Sequence, residues 1–162
     1  MSKGMENNRE VEDTMVIGLG SDHGGFPLKE EIKTFLNEQG YVVKDYGCFN
    51  TDSVDYPDIA KDVCSHLLVG ECEAAILFCG TGIGISIAAN KVRGIRAALC
   101  SDTYSARMAR EHNNANVIAL GARVIGVETA REIVMAYLNA AFAGGRHQGR
   151  VDKIEESSSA NG

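Results

Sequence analysis

Ala74-Ala75-Ile76-Leu77-Phe78 runs into Cys79-Gly80-Thr81-Gly82-Ile83-Gly84-Ile85-Ser86, which opens into Ile87-Ala88-Ala89-Asn90-Lys91. Five consecutive apolar residues read as a buried strand, alternating glycines as a sharp turn, and the apolar run after them as a helix. The glycines free the backbone to aim several N–H groups at one point, and the positive end of the following helix dipole falls there too. Such a loop wants an anion. Cys79 stands at its first position, where the same field favours a sulfur anion, so the stretch offers both an oxyanion cradle and a base.

Outward from this stretch the pattern repeats. Met15–Gly20 is a short strand ending in Ser21-Asp22-His23-Gly24-Gly25, and Pro27 starts a helix with Leu28, Ile32, Phe35 and Leu36 on one face. A strand follows from Tyr41, then a loop from Tyr46 to Tyr56, then a helix from Pro57 with Ile59, Val63, Leu67 and Leu68 as its stripe. Beyond the glycine loop come a strand at Ile95–Cys100, a helix at Thr103–Glu111 closed by His112-Asn113-Asn114-Ala115, and a strand at Asn116–Gly121. The helix Val127–Phe142 turns Ile133, Val134, Tyr137, Leu138 and Ala141 inward. After it come a Gly-Gly turn, the basic segment Arg146–Arg150, too glycine-rich for an ordinary helix, and a short helix with a serine-rich tail. Strands alternating with helices predict a three-layer α/β/α doubly wound, Rossmann-like domain with a five-stranded parallel sheet, because parallel strands need right-handed crossovers.

The whole chain of 162 residues is read as one such domain over 15–156, between an N-terminal extension (1–14) and a tail (157–162) that are both expected to be disordered. Of the net charge of −6, each end carries −2, which leaves −2 for the domain and suggests neither a nucleic-acid nor a membrane surface. No apolar run reaches transmembrane length. Five cysteines, an odd number with no Cys-x-x-Cys pair, point to reduced thiols in a cytoplasmic protein.

Ligands of doubly wound sheets bind beyond the carboxyl ends of the strands, where Asp22, His23, Cys79–Ser86 and Asp102 are expected. The loop lacks Gly-Lys-Ser/Thr and the third glycine of a dinucleotide fingerprint, although Asp102 lies where a ribose-binding acid would sit. Each candidate also has a plainer reading. The loop is then a tight turn that binds nothing, Cys79 a buried core thiol like Cys64 and Cys100, and Asp22-His23 an N-cap with a surface imidazole. His112 becomes a helix C-terminal cation, and Arg146, His147 and Arg150 a solvated tail. Against this, two guanidiniums four residues apart suit a phosphate, with Arg123 able to join them.

Taken together, Ser21-Asp22-His23-Gly24-Gly25, Val54-Asp55-Tyr56-Pro57, the long glycine motif, His112-Asn113-Asn114-Ala115-Asn116, Gly121-Ala122-Arg123 and Gly144-Gly145-Arg146-His147-Gln148-x-Arg150 resemble the type B ribose-5-phosphate isomerases and their galactose- and allose-6-phosphate relatives. The resemblance runs from Val16 to Ile154. It implies an aldose–ketose isomerase that works through a cis-enediolate, with neither metal nor nucleotide cofactor. It further implies Cys79 as base, Thr81 and the amides of Gly80, Gly82, Ile83 and Gly84 as the cradle, and His112 as ring opener. Asp22 would carry protons between oxygens, His23, Arg123, Arg146 and Arg150 would bind phosphate, and Asn113 and Tyr56 would contact hydroxyls. A homodimer with shared sites, able to pair into a tetramer, is implied too. The readings left open are a hexose-phosphate isomerase and a sensor that binds a sugar phosphate or nucleotide without chemistry.

Overall fold

The structure is a computed structural model and describes residues 14–160, with side chains through 156; residues 1–13 and 161–162, parts of the expected extension and tail, lie outside it. Five strands form one all-parallel sheet: β1 (Val16–Ser21), β2 (Val42–Asp45), β3 (Ala74–Cys79), β4 (Ala97–Leu99) and β5 (Val117–Gly121), in the order β2-β1-β3-β5-β4. Among the described residues six helices accompany it: α1 (Phe26–Glu38), α2 (Tyr56–Leu68), α3 (Ile83–Asn90), α4 (Thr103–Asn113), α5 (Val127–Leu138) and α6 (Arg146–Ala160). Central β3 and β5 are buried at every residue, as unbroken apolar runs covered on both faces should be. Leu28, Ile32 and Leu36 of α1, Ala106 and Ala109 of α4 and Ile133, Val134 and Tyr137 of α5 pack one face. Ala60, Val63, Cys64 and Leu67 of α2 with Ile85 and Ala89 of α3 pack the other.

From β1 the chain moves outward to β2, and β3 then lies on the opposite side of β1. The connections leaving β1 and β3 therefore turn to opposite faces and open a crevice at the carboxyl ends of these strands, the switch point where such sheets take their ligands. Glycine holds the crevice closed behind. A methyl at Gly25 would lie 2.4 Å from the carbonyl of Phe78, so no other residue lets the β1 loop sit this close to β3.

Several elements differ from their sequence expectation. In α2 the buried stripe is Ala60, Val63, Cys64 and Leu67, while Leu68, the last residue of the helix, is exposed. Strand β4 is three residues long, since the Arg96 amide is taken by Asn116 Oδ1 and that of Ile95 by a turn to Val92. Helix α5 ends at Leu138 and leaves Ala141 exposed. The following segment crosses to α4, where the Ala143 amide bonds the Glu111 carbonyl at 2.9 Å. The basic segment 146–150 is not irregular: it opens α6, which takes in Gly149 and runs to Ala160, so the expected tail is helical that far. A helical glycine costs about 1 kcal/mol relative to alanine, and burial of His147 and Val151 outweighs it.

Candidate active site

Cys79 is the last residue of β3 and is paired with Gly121 of β5. Gly82 N-caps α3 in the left-handed region at φ +79°, and its N–H donates to Cys79 Sγ at 3.0 Å, an interaction that a sulfur anion accepts better than a thiol does. The Ile83 N–H donates to Thr81 Oγ1 at 3.2 Å, and Ser86 Oγ donates to the Ile83 carbonyl at 2.7 Å, tying the loop to the first turn of α3. The cradle is closed from behind by β5, for a methyl on Gly121 would lie 2.5 Å from the Thr81 carbonyl oxygen. Cys64 and Cys100 are, as expected, core thiols: burial pushes each up to about 12, far from any basic role near neutral pH.

Bonds from the Ala122 N–H to the Cys79 carbonyl and from the Arg123 N–H to the Gly80 carbonyl, both 2.9 Å, carry Arg123 over the loop. The Asp22 N–H bonds the Phe78 carbonyl, and Asp22 Oδ1 accepts the Gly25 N–H at 2.9 Å, leaving Oδ2 for a ligand. A methyl placed on Gly24 would lie 3.4 Å from Asp22 Oδ1, 3.5 Å from the Gly80 nitrogen and 3.6 Å from Arg123 Nη2. A buried carboxylate, a cradle amide and a guanidinium thus surround one point beside the thiol loop. His23 Nδ1 accepts the Val54 N–H at 3.2 Å, which puts the proton of the neutral ring on Nε2. Tyr56 lies against Gly84, its hydroxyl 2.9 Å from where a methyl there would sit. Cys79, Asp22, His23, Tyr56, Arg123 and the loop Gly80–Gly84 therefore share one edge of the sheet.

The remaining candidates gather elsewhere. In a parallel sheet every crossover helix runs back from the carboxyl edge to the amino edge, so the C-terminus of α4 lies at the amino edge, with His112 and Asn113. The chain crosses to α6 there, and the rings of His112 and His147 stack with centroids 4.2 Å apart and planes 11° from parallel. Burial, then the charges of His112, Arg146 and Arg150, hold His147 below its ordinary value. The expected convergence of Arg123 with Arg146 and Arg150 is not met within one chain, because the length of β5, about 13 Å at 3.3 Å per residue, separates the two groups. Asp102 is no ribose ligand. Both its oxygens bond Ser105, at 2.6 and 2.8 Å, as the N-cap of α4, and those bonds hold its carboxyl below the usual range. The stacked His147 was visible in sequence only as a basic neighbour of Arg146. Among the described residues no three His, Cys, Asp or Glu side chains are grouped to hold a metal ion, and no helix is long and apolar enough to cross a membrane.

A cysteine sulfur held by a loop amide, near a buried carboxylate and a guanidinium at the switch point of a doubly wound sheet, is the kind of ligand site that α/β enzymes carry there. Comparison with known proteins makes the class particular. Residues 17–154 match the family model described as Ribose/Galactose Isomerase. The chain is 51% identical over 138 residues to ribose-5-phosphate isomerase B of Escherichia coli (strain K12), covering 85% of this chain and 93% of that one. It is 50% identical over 139 residues to D-erythrulose-4-phosphate isomerase of Pectobacterium atrosepticum, covering 85% of this chain and 91% of that one. The solved structure of Clostridium thermocellum ribose-5-phosphate isomerase B superposes with a TM-score of 0.90 at 55% identity, covering 91% of this chain and all of that one. The chain belongs to the ribose/galactose isomerase family.

Proposed function

We propose that the protein is a ribose-5-phosphate isomerase of the non-oxidative pentose phosphate reactions, interconverting D-ribose 5-phosphate and D-ribulose 5-phosphate through a cis-enediolate. The observation that carries the reading is Cys79 Sγ held at 3.0 Å by the amide of Gly82, the residue that caps α3. In the forward direction the Cys79 thiolate removes the proton from C2, and electrons move onto the C1 carbonyl oxygen to give the enediolate. The same sulfur returns the proton to C1, while Asp22 Oδ2 carries the proton of the C2 hydroxyl to the C1 oxygen. Amides of Gly80, Gly82, Ile83 and Gly84 with the Thr81 hydroxyl hold the developing charge, each donor being worth about 3 kcal/mol.

Ribose 5-phosphate is mostly a closed furanose, which has no acidic C2 proton, and His112 opens it as general acid and base. Asn113 and Tyr56 contact hydroxyls, and His23 Nε2–H, Arg123, Arg146 and Arg150 bind the phosphate. Arg146 and Arg150 open α6, whose positive end adds to the attraction. The two halves of this machinery lie at opposite edges of the sheet, so one chain cannot join them. A homodimer in which the His112–Arg150 edge of one copy faces the Cys79 edge of the other completes two sites at once, as two-fold symmetry requires. Ile83 and Ile87 of α3, Leu99 of β4 and Tyr104 of α4 are exposed apolar side chains on and beside the cradle, suited to such a contact. The five cysteines, all free, support a cytoplasmic setting.

Mixing two inactive variants tests the shared site. Cys79→Ala and His112→Asn chains, refolded together, form heterodimers with one intact site, restoring up to about a quarter of wild-type turnover under random two-fold pairing. No recovery would contradict the shared site. Turnover of allose 6-phosphate as fast as that of ribose 5-phosphate would replace the pentose by a hexose substrate.

A further inference from the structure

Arg96, in the last position before β4, is mostly buried and anchored by its own backbone: its N–H donates to Asn116 Oδ1 at 2.8 Å and its carbonyl accepts the amides of Asn116 and Val117. Its guanidinium then reaches two helices. Nε donates to the carbonyls of Asn113 and Asn114, each at 3.2 Å, and Nη2 to Asn114 again at 2.8 Å, which satisfies the end of α4 beside His112. Nη1 donates to Glu155 Oε1 on α6 at 2.7 Å. His147, Val151 and Glu155 recur every four residues along the face of α6 turned to α4, so the helix that Arg96 ties down through Glu155 also carries the ring stacked on His112.

We propose that Arg96, braced by Glu155, is the positioning residue for ring opening: it fixes the last turn of α4 against α6 and so sets His112 in register with the phosphate-binding arginines. The proposal rests on the assignment of His112 as ring opener. It explains why the position needs a guanidinium. The planar fork serves Asn113, Asn114 and Glu155 at once, and a lysine ammonium cannot. Arg96 touches no reacting atom and acts through the imidazole alone.

Two rates separate this role from general support of the fold. Conversion of ribose 5-phosphate requires ring opening. Exchange of the C1 hydrogens of ribulose 5-phosphate with heavy water does not, because that ketose has its C5 oxygen bound to phosphate and stays open, and with the phosphate site saturated the exchange uses Cys79 and its cradle but not His112. Both are measured on the full chain at saturating substrate for Arg96→Lys, Arg96→Met and Glu155→Gln. Misplacing a catalytic group by about 1 Å costs on the order of a hundredfold, so Arg96→Met should lower conversion by about that factor, and Arg96→Lys and Glu155→Gln by about tenfold. Exchange should stay within about twofold of wild type in all three, the split that marks loss of a single step. Should Arg96→Met fail to fold, the two milder variants carry the test. Parallel loss of both rates, or loss of neither, overturns the proposal. Absence of ribose 5-phosphate turnover in the wild-type protein overturns instead the reading on which it rests.

Discussion

Replacing Gly82 with alanine strikes both the fold and the chemistry, and the structure sets the size of each effect. An L-residue at φ +79° costs about 1–2 kcal/mol. The new methyl would also lie 2.6 Å from Leu99 Cδ1, 2.9 Å from the Leu120 carbonyl carbon and 3.1 Å from the Gly121 nitrogen. The last two are backbone atoms of β5, held in the ladder that pairs Cys79 with Gly121, so they cannot step aside as a side chain would. Overpacking of this kind costs about 1–3 kcal/mol, and the sum of about 2–5 kcal/mol corresponds to a fall in melting temperature of about 4–20 °C for a chain of this size. The loop amide that meets Cys79 Sγ moves with the strain, and loss of one oxyanion donor lowers kcat by about 10²–10³. Gly84→Ala is the control for stability alone. Its methyl would lie 2.6–2.9 Å from the ring and hydroxyl of partly exposed Tyr56, the far end of a side chain that can swing aside, and should cost less than about 1 kcal/mol. Thermal melts of both variants and ribose 5-phosphate turnover of Gly82→Ala decide the matter. Equal stability in Gly82→Ala and Gly84→Ala, or wild-type turnover in Gly82→Ala, would refute the case for the left-handed cap and the β5 wall.

Two further effects follow from buried charge. Lys29 is wholly buried, with Asp45 Oδ2 at 2.6 Å, so Asp45→Asn should destabilise the protein by about 3–5 kcal/mol in urea titrations. Burial alone would raise the Asp45 carboxyl, but hydrogen bonds from Lys29, the Gly47 amide and Lys33 hold it below its ordinary value; its contribution is therefore full above about pH 4 and lost as the pH falls below that, a dependence that the variant should lack. His147 is held low, so just below about pH 6.5 the unfolded chain binds a proton that the folded one does not; stability from this group rises with pH and is complete above that point. His147→Phe keeps a stacked ring on His112 and should flatten that part of a stability–pH curve.

The sheet was legible in sequence because its signals are local. The run Ala74–Phe78 is buried throughout, and Gly82 in the loop after it is required by φ and by contact. What stayed hidden depends on partners distant in the chain. The two leucines that end α2 look alike in sequence, and only packing against β3 and α3 decides that Leu67 faces inward and Leu68 outward. The glycines at 144, 145 and 149 argued against helix, yet the first two stand at positive φ before α6 and the third is tolerated once Val151 is buried. Thiol, loop and Asp22 could be read as one site because they follow neighbouring strands. The separation of His112, Arg146 and Arg150 from them follows from strand order and crossover direction, which no motif encodes. Arg96 carries no motif, and its part emerges only from carbonyls 17 and 18 residues away.

In the proposed reaction Cys79 carries the proton between C1 and C2. Incubating the wild-type protein and Cys79→Ala with ribose 5-phosphate in heavy water, and locating deuterium in the recovered sugars by NMR, tests this role. Deuterium is expected at C2 of the recovered aldose and at C1 of the ketose with the wild type, and none above background with a Cys79→Ala protein that melts like its parent. Deuterium at those carbons at the wild-type rate in Cys79→Ala would contradict it.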